Sequence, residues 1–504
     1  MKWKLLKIGF VVVAVIAAFF AGRHYLKVLK VASAFHAKTL CSGIFVSGRP
    51  VEMVVGEDVL ADMPFGLRRL GFAIDRNQGL VTSSLFGLAE RRALYRPGLG
   101  CTLVNGTTLP GLRRQAEGFA PIRPAIVPAA PWPEGDAVDT ASRPGGIDHE
   151  RLTAALDAEF DEPHPRALRR TRAVVVVHKG RIIAERYAAG INPDTPLIGW
   201  SMGKSIASAL VAILVRDGKI DMAKGALLPE WRQAGDPRAK ITVDHLLRMT
   251  SGLDFDDPRE RMLSDVRRML FLTGDSFAYA RSKEAAGAPG TLWRYGSGST
   301  SLLAGLLRQA AGGNQLAYFN FPRRALLAPL GMASAVLEPD AAGTFLMPAF
   351  VYASPRDWAR FGLFILNDGV WQERRILPEG WVEYAKSPTG RSGGLYGAHF
   401  WLKVPRFLRP DFAEALALPD DRFYMLGNDG QMVAIIPSLD LVVVRMGLSR
   451  RRNSWDPDAF LFNLVQAFAK AQSHRPSAMG RPNPPAAAQR GPGFNWGRAD
   501  RPER

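Results

Sequence analysis

Only two cysteines occur in 504 residues, and the eight histidines are scattered. Two thiols without clustered imidazoles cannot build a structural zinc site, and no metal centre is expected. Acidic residues are also scarce, 47 against 65 Lys and Arg, for a net charge of +18. No helix-turn-helix, zinc finger or aromatic RNA-binding motif accompanies that surplus, so no nucleic-acid partner is expected. A basic surface facing anionic lipid or cell-wall polymer fits better. No internal repeat is visible. Cys41 lacks the small residue that a lipobox places just before it, since Lys38-Thr39-Leu40 precedes it.

The chain does have enough apolar residues, 47%, to bury a large core and a smaller unit. Lys2, Lys4 and Lys7 precede the uncharged run 8–22, a basic head on an export-type hydrophobic segment. The expected location is the periplasm, with residues 1–35 as a signal or anchor segment. Ala32-Ser33-Ala34 resembles a cleavage site but lies far past the apolar run, beyond Arg23, Lys27 and Lys30, which favours an uncleaved inner-membrane anchor. The run is short for a span of about 20 residues. Residues 36–125 read as a small strand-rich unit, with strands near 43–46, 51–55, 72–75 and 80–83. Residues 126–144 read as a Pro/Ala-rich linker, 145–472 as the main domain, and 473–504 as a disordered tail. Cys41 and Cys101 both follow the export segment; an oxidising compartment favours a disulfide between them, with two buried free thiols as the alternative.

Chemistry enters at Ser201-Met202-Gly203-Lys204. Ile206, Leu210, Ile213 and Leu214 recur at helical spacing up to Gly218, so Ser201 starts a buried helix and Lys204 lies on the same face. The amine can reach the hydroxyl as its base, and the helix amino terminus favours an oxyanion. Ser-x-x-Lys alone also occurs by chance, and serine is a common N-cap. Two further pieces follow in order. Tyr295 sits in the loop Gly290-Thr291-Leu292-Trp293-Arg294-Tyr295-Gly296-Ser297 before a helix near 301–311. Gly427-Asn428-Asp429-Gly430-Gln431 leads into strands at 432–436 and 441–446.

Ser-x-x-Lys, Tyr-x-Ser and a short glycine-bearing strand motif, in that order, resemble the penicillin-recognising serine hydrolases. The likeness is strongest to the class C beta-lactamase-like branch with 6-aminohexanoate-dimer hydrolases, esterases and D-amino-acid peptidases. Residues 241–253 and 354–381 extend it, to about 145–470 in all. The resemblance implies an α+β, beta-lactamase/transpeptidase-like fold: an antiparallel sheet flanked by helices, a helical subdomain, and here a small β-rich amino-terminal unit. It implies Ser201 as acylated nucleophile, Lys204 and Tyr295 as proton shuttles, and Ser297 as polar support. It implies Asn428 and Gly430 as parts of the third motif, and the N–H groups of Ser201 and Gln431 as oxyanion donors. No cofactor is implied, because the reaction is acyl transfer.

One departure bears on substrate. Asn428 stands where beta-lactamases and many transpeptidases carry the lysine of Lys-Thr-Gly, and a neutral amide holds an anion less strongly. An amidase or esterase is therefore preferred to a beta-lactamase. Gly427 and Gly430 also read as ordinary hairpin glycines. Gly199-Trp200-Ser201-Met202-Gly203 fits the nucleophile elbow of alpha/beta-hydrolases, but that fold needs a later acid and histidine, and His245, His399 and His474 carry no supporting motif. A D,D-peptidase, a non-catalytic peptidoglycan-fragment sensor and a structural envelope protein are the remaining readings.

Overall fold

The computed structural model describes residues 2–471, apart from 62–64, 125–128, 140–142, 166, 259–260, 412–415 and 452. Residues 473–504, expected as a tail, and His474 with them lie outside the described residues, as do parts of the expected linker.

The amino terminus differs from expectation. Helix α1 (Lys2–Cys41) runs unbroken through the expected end of the export segment, and it continues into helical turns at Ser42–Val46, Val51–Met53 and Val54–Leu60. The β-branched runs near 43–46 and 51–55 suggested strands, but tertiary packing overrides propensity in such short segments. Gly43 lies directly against Val54, which closes the helical corner. The strands expected at 72–75 and 80–83 form as β1 (Gly71–Asp75) and β2 (Leu80–Leu85), and with β3 (Leu88–Arg96) and β4 (Gly100–Leu103), which were not expected, they make an antiparallel meander. One face of it packs on the second half of α1, whose Val31, Ala34, Ala37 and Leu40 are buried with Val81, Ala93 and Leu103. Cys41 and Cys101 form a disulfide between α1 and β4.

Buried charges join this unit to the main body. Glu338 accepts from the Lys38 ammonium, from Ser42 Oγ at 2.8 Å and from the Cys101 N–H at 2.6 Å. Burial pushes the Glu338 carboxyl above its ordinary value and the Lys38 ammonium below its own. Asp58 pairs with Arg49 at 2.7 Å and with Arg172 at 2.8 Å.

In the main body, α2 (His149–Phe160) leads into the hairpin β5 (Ala173–His178) and β6 (Arg181–Tyr187). After helix α3 (Gly203–Arg216), the short α4 (Val243–Leu247), α5 (Ser297–Ala311) and α6 (Pro355–Leu366) come β7 (Phe423–Gly427), β8 (Gln431–Ile436), β9 (Leu441–Met446) and α7 (Pro457–Val465). Five strands make one antiparallel sheet in the order β7-β8-β9-β5-β6. Alternation along β5 explains its unbroken valines. Val175 and Val177 face the core that contains α6, while Val174 and Val176 face Leu152, Leu156, Leu461 and Leu464 of α2 and α7. Both faces are covered, so the strand shows no polar alternation. This antiparallel order leaves β7 at the sheet edge, beside the segment that carries Ser201.

Among the described residues no helix is long and apolar enough to cross a membrane. Several side chains of the run 8–22 lie outside description.

Candidate active site

Ser201 lies in a single turn, Trp200–Met202, that feeds straight into α3. Trp200 enters it at φ +48, a left-handed conformation that costs a bulky residue roughly 1–3 kcal/mol. The following helix is buried from Gly203 to Leu214 and holds that turn in place.

Lys204 is 1% exposed, and its Nζ lies 2.9 Å from Ser201 Oγ. Its other hydrogen-bond partner is the Pro348 carbonyl at 3.4 Å, and among the described residues no carboxylate pairs with it. The same Nζ is 4.9 Å from the centre of the Tyr295 ring. The three side chains read from the first two motifs therefore share one point, although 94 residues of sequence, 201 to 295, separate the serine from the phenol.

Tyr295 is aimed by its surroundings. Its ring lies 4.8 Å from Trp401, 5.7 Å from Tyr396 and 6.4 Å from Phe407, with Trp293 against Tyr396 and Trp401. Tyr396 and Trp401 are buried behind the ring, at 1% and 3% exposed, while Phe407 reaches the surface. Nothing in the sequence marked Tyr396, Trp401 or Phe407, because they lie about a hundred residues from Tyr295 and carry no motif. Ser297 opens α5, and its N–H donates to Asp257 Oδ2 at 2.6 Å, which ties down the loop that carries Tyr295.

The third motif is placed differently from expectation. Asp429 (φ +59) and Gly430 (φ +81) are both left-handed in the three-residue turn 428–430 that joins β7 to β8, where Gly427 pairs with Gln431. The Gln431 N–H donates to the Asn428 carbonyl across that turn. That N–H is already engaged, so the expected oxyanion role of Gln431 is corrected. Its side chain is locked as well, exchanging bonds of 2.8 and 3.0 Å with the backbone of Gly447. The Asn428 side chain donates to Asp429 Oδ1 at 2.8 Å. A Cβ on Gly430 would run into Arg445 and Ser449, so glycine is required there.

The edge strand offers another donor. Both backbone groups of Tyr424 bond outward to Trp401, at 2.7 and 2.9 Å. Alternation then turns the N–H groups of Leu426 and Asn428 outward too. At that end a Cβ on Gly427 would collide with the Gly199 carbonyl, which shows how closely β7 approaches the Ser201 segment.

The elbow arrangement is absent. A two-residue strand, Leu197–Ile198, does precede the serine, but it pairs antiparallel with Val351–Ala353 in a small separate sheet. His245 closes a capping box with Thr242. His399 is buried with Nδ1 2.7 Å from the Leu247 carbonyl and Nε2 3.0 Å from Thr300 Oγ1. Burial holds its pKa down at about 3, so it stays neutral beneath Lys204. Among the described residues no group of His, Cys, Asp and Glu could hold a metal ion.

A family model described as Beta-lactamase matches residues 157–460. A 6-aminohexanoate-dimer hydrolase from Paenarthrobacter ureafaciens is 27% identical over 323 residues, covering 59% of this chain and 76% of that protein. Among solved structures, a Bacillus anthracis chain assigned provisionally as a 6-aminohexanoate-dimer hydrolase aligns with a TM-score of 0.50 at 21% identity, covering 71% of this chain and 89% of that one. A family VIII carboxylesterase aligns with a TM-score of 0.50 at 17% identity, covering 65% and 98%. These structural likenesses carry the fold.

Proposed function

We propose, from the premise that this chain belongs to the beta-lactamase family and is a serine hydrolase of that fold, that it cleaves a neutral amide or ester through an acyl-enzyme on Ser201. The observation that carries this reading is the 2.9 Å approach of a buried, acid-free Lys204 amine to Ser201 Oγ beneath the Tyr295 ring. In the amine form Lys204 takes the Ser201 proton as Oγ attacks the acyl carbon. The Ser201 N–H and the outward Asn428 N–H receive the oxyanion in place of Gln431. Lys204 and Tyr295 pass the proton to the departing nitrogen or oxygen as its bond to carbon breaks. Water then attacks the Ser201 ester, its proton returns along the same groups, and the free acid leaves.

A neutral substrate is favoured because, among the described residues, the cations beside the β7–β8 turn are already engaged. Arg445 is fully buried and spent on Gly430, Glu159 and Thr171, and Arg450 is spent on the carbonyls of Ala61 and Asp58. Half-buried Trp293 and Tyr295 and exposed Phe407, backed by buried Tyr396 and Trp401, suit an apolar acyl or leaving group. A hydrolysis screen over p-nitrophenyl esters, 6-aminohexanoate oligomers, nitrocefin and D-Ala-D-Ala peptides tests the reading. Turnover of the first two with fluorophosphonate labelling at Ser201 supports it; preference for nitrocefin or the peptides overturns it in favour of a beta-lactamase or D,D-peptidase. Labelling without turnover of any of them identifies a sensor.

We also propose export with an uncleaved amino-terminal anchor. The run 8–22 bears no charge, and Ala32-Ser33-Ala34, where cleavage would fall, is buried inside α1 against the sheet. Cutting there would remove Leu29 and Val31 from the folded core.

A further inference from the structure

Helix α1 leaves the folded body at Lys27. Leu29 and Val31 are buried, whereas Val15, Ile16, Phe19, Phe20, Tyr25 and Leu26 are exposed. The β2–β3 hairpin ends beside this exit. Tyr95, next to the Leu80↔Leu94 pair, stacks at 5.2 Å on Phe45 just past the carboxyl end of α1, and Ser83 Oγ lies 2.7 Å from His36 Nδ1. β2 therefore runs back along α1 toward its start. The three residues from Ser83 to Phe86 add about 10 Å, or about seven residues of helix, which brings the tip level with residues 27–30.

The tip is built in an unusual way for a surface turn. Leu85 pairs with Leu88 across Phe86 and Gly87, and both central residues have positive φ, +49 and +78. Type I′ turns favour Asn or Gly at the first central position, and a phenylalanine is strained there. Phe86 is 78% exposed and Leu88 61%, with Phe72 of β1 exposed nearby against His36. Single exposed apolar residues are ordinary, but a strained one at a hairpin tip beside an emerging apolar helix is not. Arg23, Lys27 and Lys30, at i, i+4 and i+7 of α1, form one basic stripe running up to that level, and among the described residues none of them has an ion-pair partner. The acid nearest the tip, Glu90, faces Arg92 at 3.8 Å.

We propose that the Phe86–Leu88 tip and the exit of α1 together form a docking surface for an anionic lipid bilayer. Phe86 and Leu88 enter the headgroup boundary while Arg23, Lys27 and Lys30 meet lipid phosphates. The tip becomes a second attachment point beside α1, and two points fix the orientation of the catalytic body on the membrane. This goes beyond the anchor reading, which needs only the run 8–22, and it holds whether α1 crosses the bilayer or lies in its surface.

The experiment uses the full chain with one added thiol, Phe86→Cys, Phe19→Cys or Lys179→Cys, each carrying an environment-sensitive fluorophore. The two native cysteines are bonded to each other, so the introduced thiol alone reacts. Each protein is mixed with phosphatidylglycerol/phosphatidylcholine vesicles carrying shallow doxyl-lipid quenchers, and with pure phosphatidylcholine vesicles. The expected result is a blue shift and quenching at position 86 with the anionic vesicles, diminished by molar salt or by pure phosphatidylcholine, and no change at Lys179 in the β5–β6 hairpin turn of the main body. Quenching at 19 with position 86 still in water overturns the proposal and leaves the anchor standing. Quenching at 86 without quenching at 19 removes α1 as an attachment point and overturns the two-point surface. A blue shift at 86 without lipid that grows with protein concentration identifies a second copy as the occupant and overturns it.

Discussion

Lys204→Met removes the amine that lies 2.9 Å from Ser201 Oγ and keeps a side chain of similar length in a site that is 1% exposed. The loss is that of a positioned general base, about 10²- to 10⁴-fold in rate, or about 3 to 5 kcal/mol of barrier. The oxyanion donors on Ser201 and β7 are untouched, so activity stays above the uncatalysed reaction. Stability should hold or rise, because a buried nitrogen with two hydrogen-bond partners is replaced by an apolar thioether. The assay is kcat/KM on p-nitrophenyl butyrate with the fluorophosphonate labelling rate at Ser201, alongside a thermal melt. A variant that keeps its melting temperature and stays within tenfold of the parent in both rates refutes Lys204 as the base. A variant that loses both fold and activity shows instead that Lys204 is structural.

Tyr295→Phe keeps the ring against Trp401 and removes only the phenol, so it should lower kcat by about 10²-fold or more with little change in KM, read from steady-state kinetics. Glu338→Gln strips the charge that pairs with buried Lys38 and should cost about 3 to 5 kcal/mol in urea unfolding, with the amino-terminal unit loosening first by hydrogen exchange. Stability should fall as the solution is acidified. Burial holds His36 down at about 4 and His399 at about 3, so below about pH 6.5 the unfolded chain gains protons that the fold refuses, while above it neither histidine contributes. By pH 5 each costs about 2 kcal/mol. Asp340, pushed up to about 6 by burial, opposes this by favouring the fold as pH drops through that value. His399→Asn, tolerated at φ +63, should flatten the acid limb of a melting-temperature profile; an unchanged slope would show that His399 is not its source.

What could be read from the chain was local. Serine and lysine three apart on one helix turn meet because helix geometry brings them together, so Ser201 and Lys204 needed no knowledge of the rest. The apolar runs 432–436 and 441–446 likewise read as strands from their own composition, and they fold as β8 and β9. Where local signals competed, reading failed: 43–46 and 51–55 have strand composition but continue the helical path of α1.

The tertiary structure decided the rest. Tyr295 reaches Lys204 only because α5 and the aromatic cluster from 396 to 407 fold over α3. The choice of oxyanion donor depended on strand register. One residue of shift exchanges inward and outward N–H groups, and the turn at Asp429-Gly430 spends the Gln431 amide on the Asn428 carbonyl. Contacts within one helical turn are set by covalent spacing, whereas a site assembled from distant strands and loops is set by packing, which no single stretch of residues encodes.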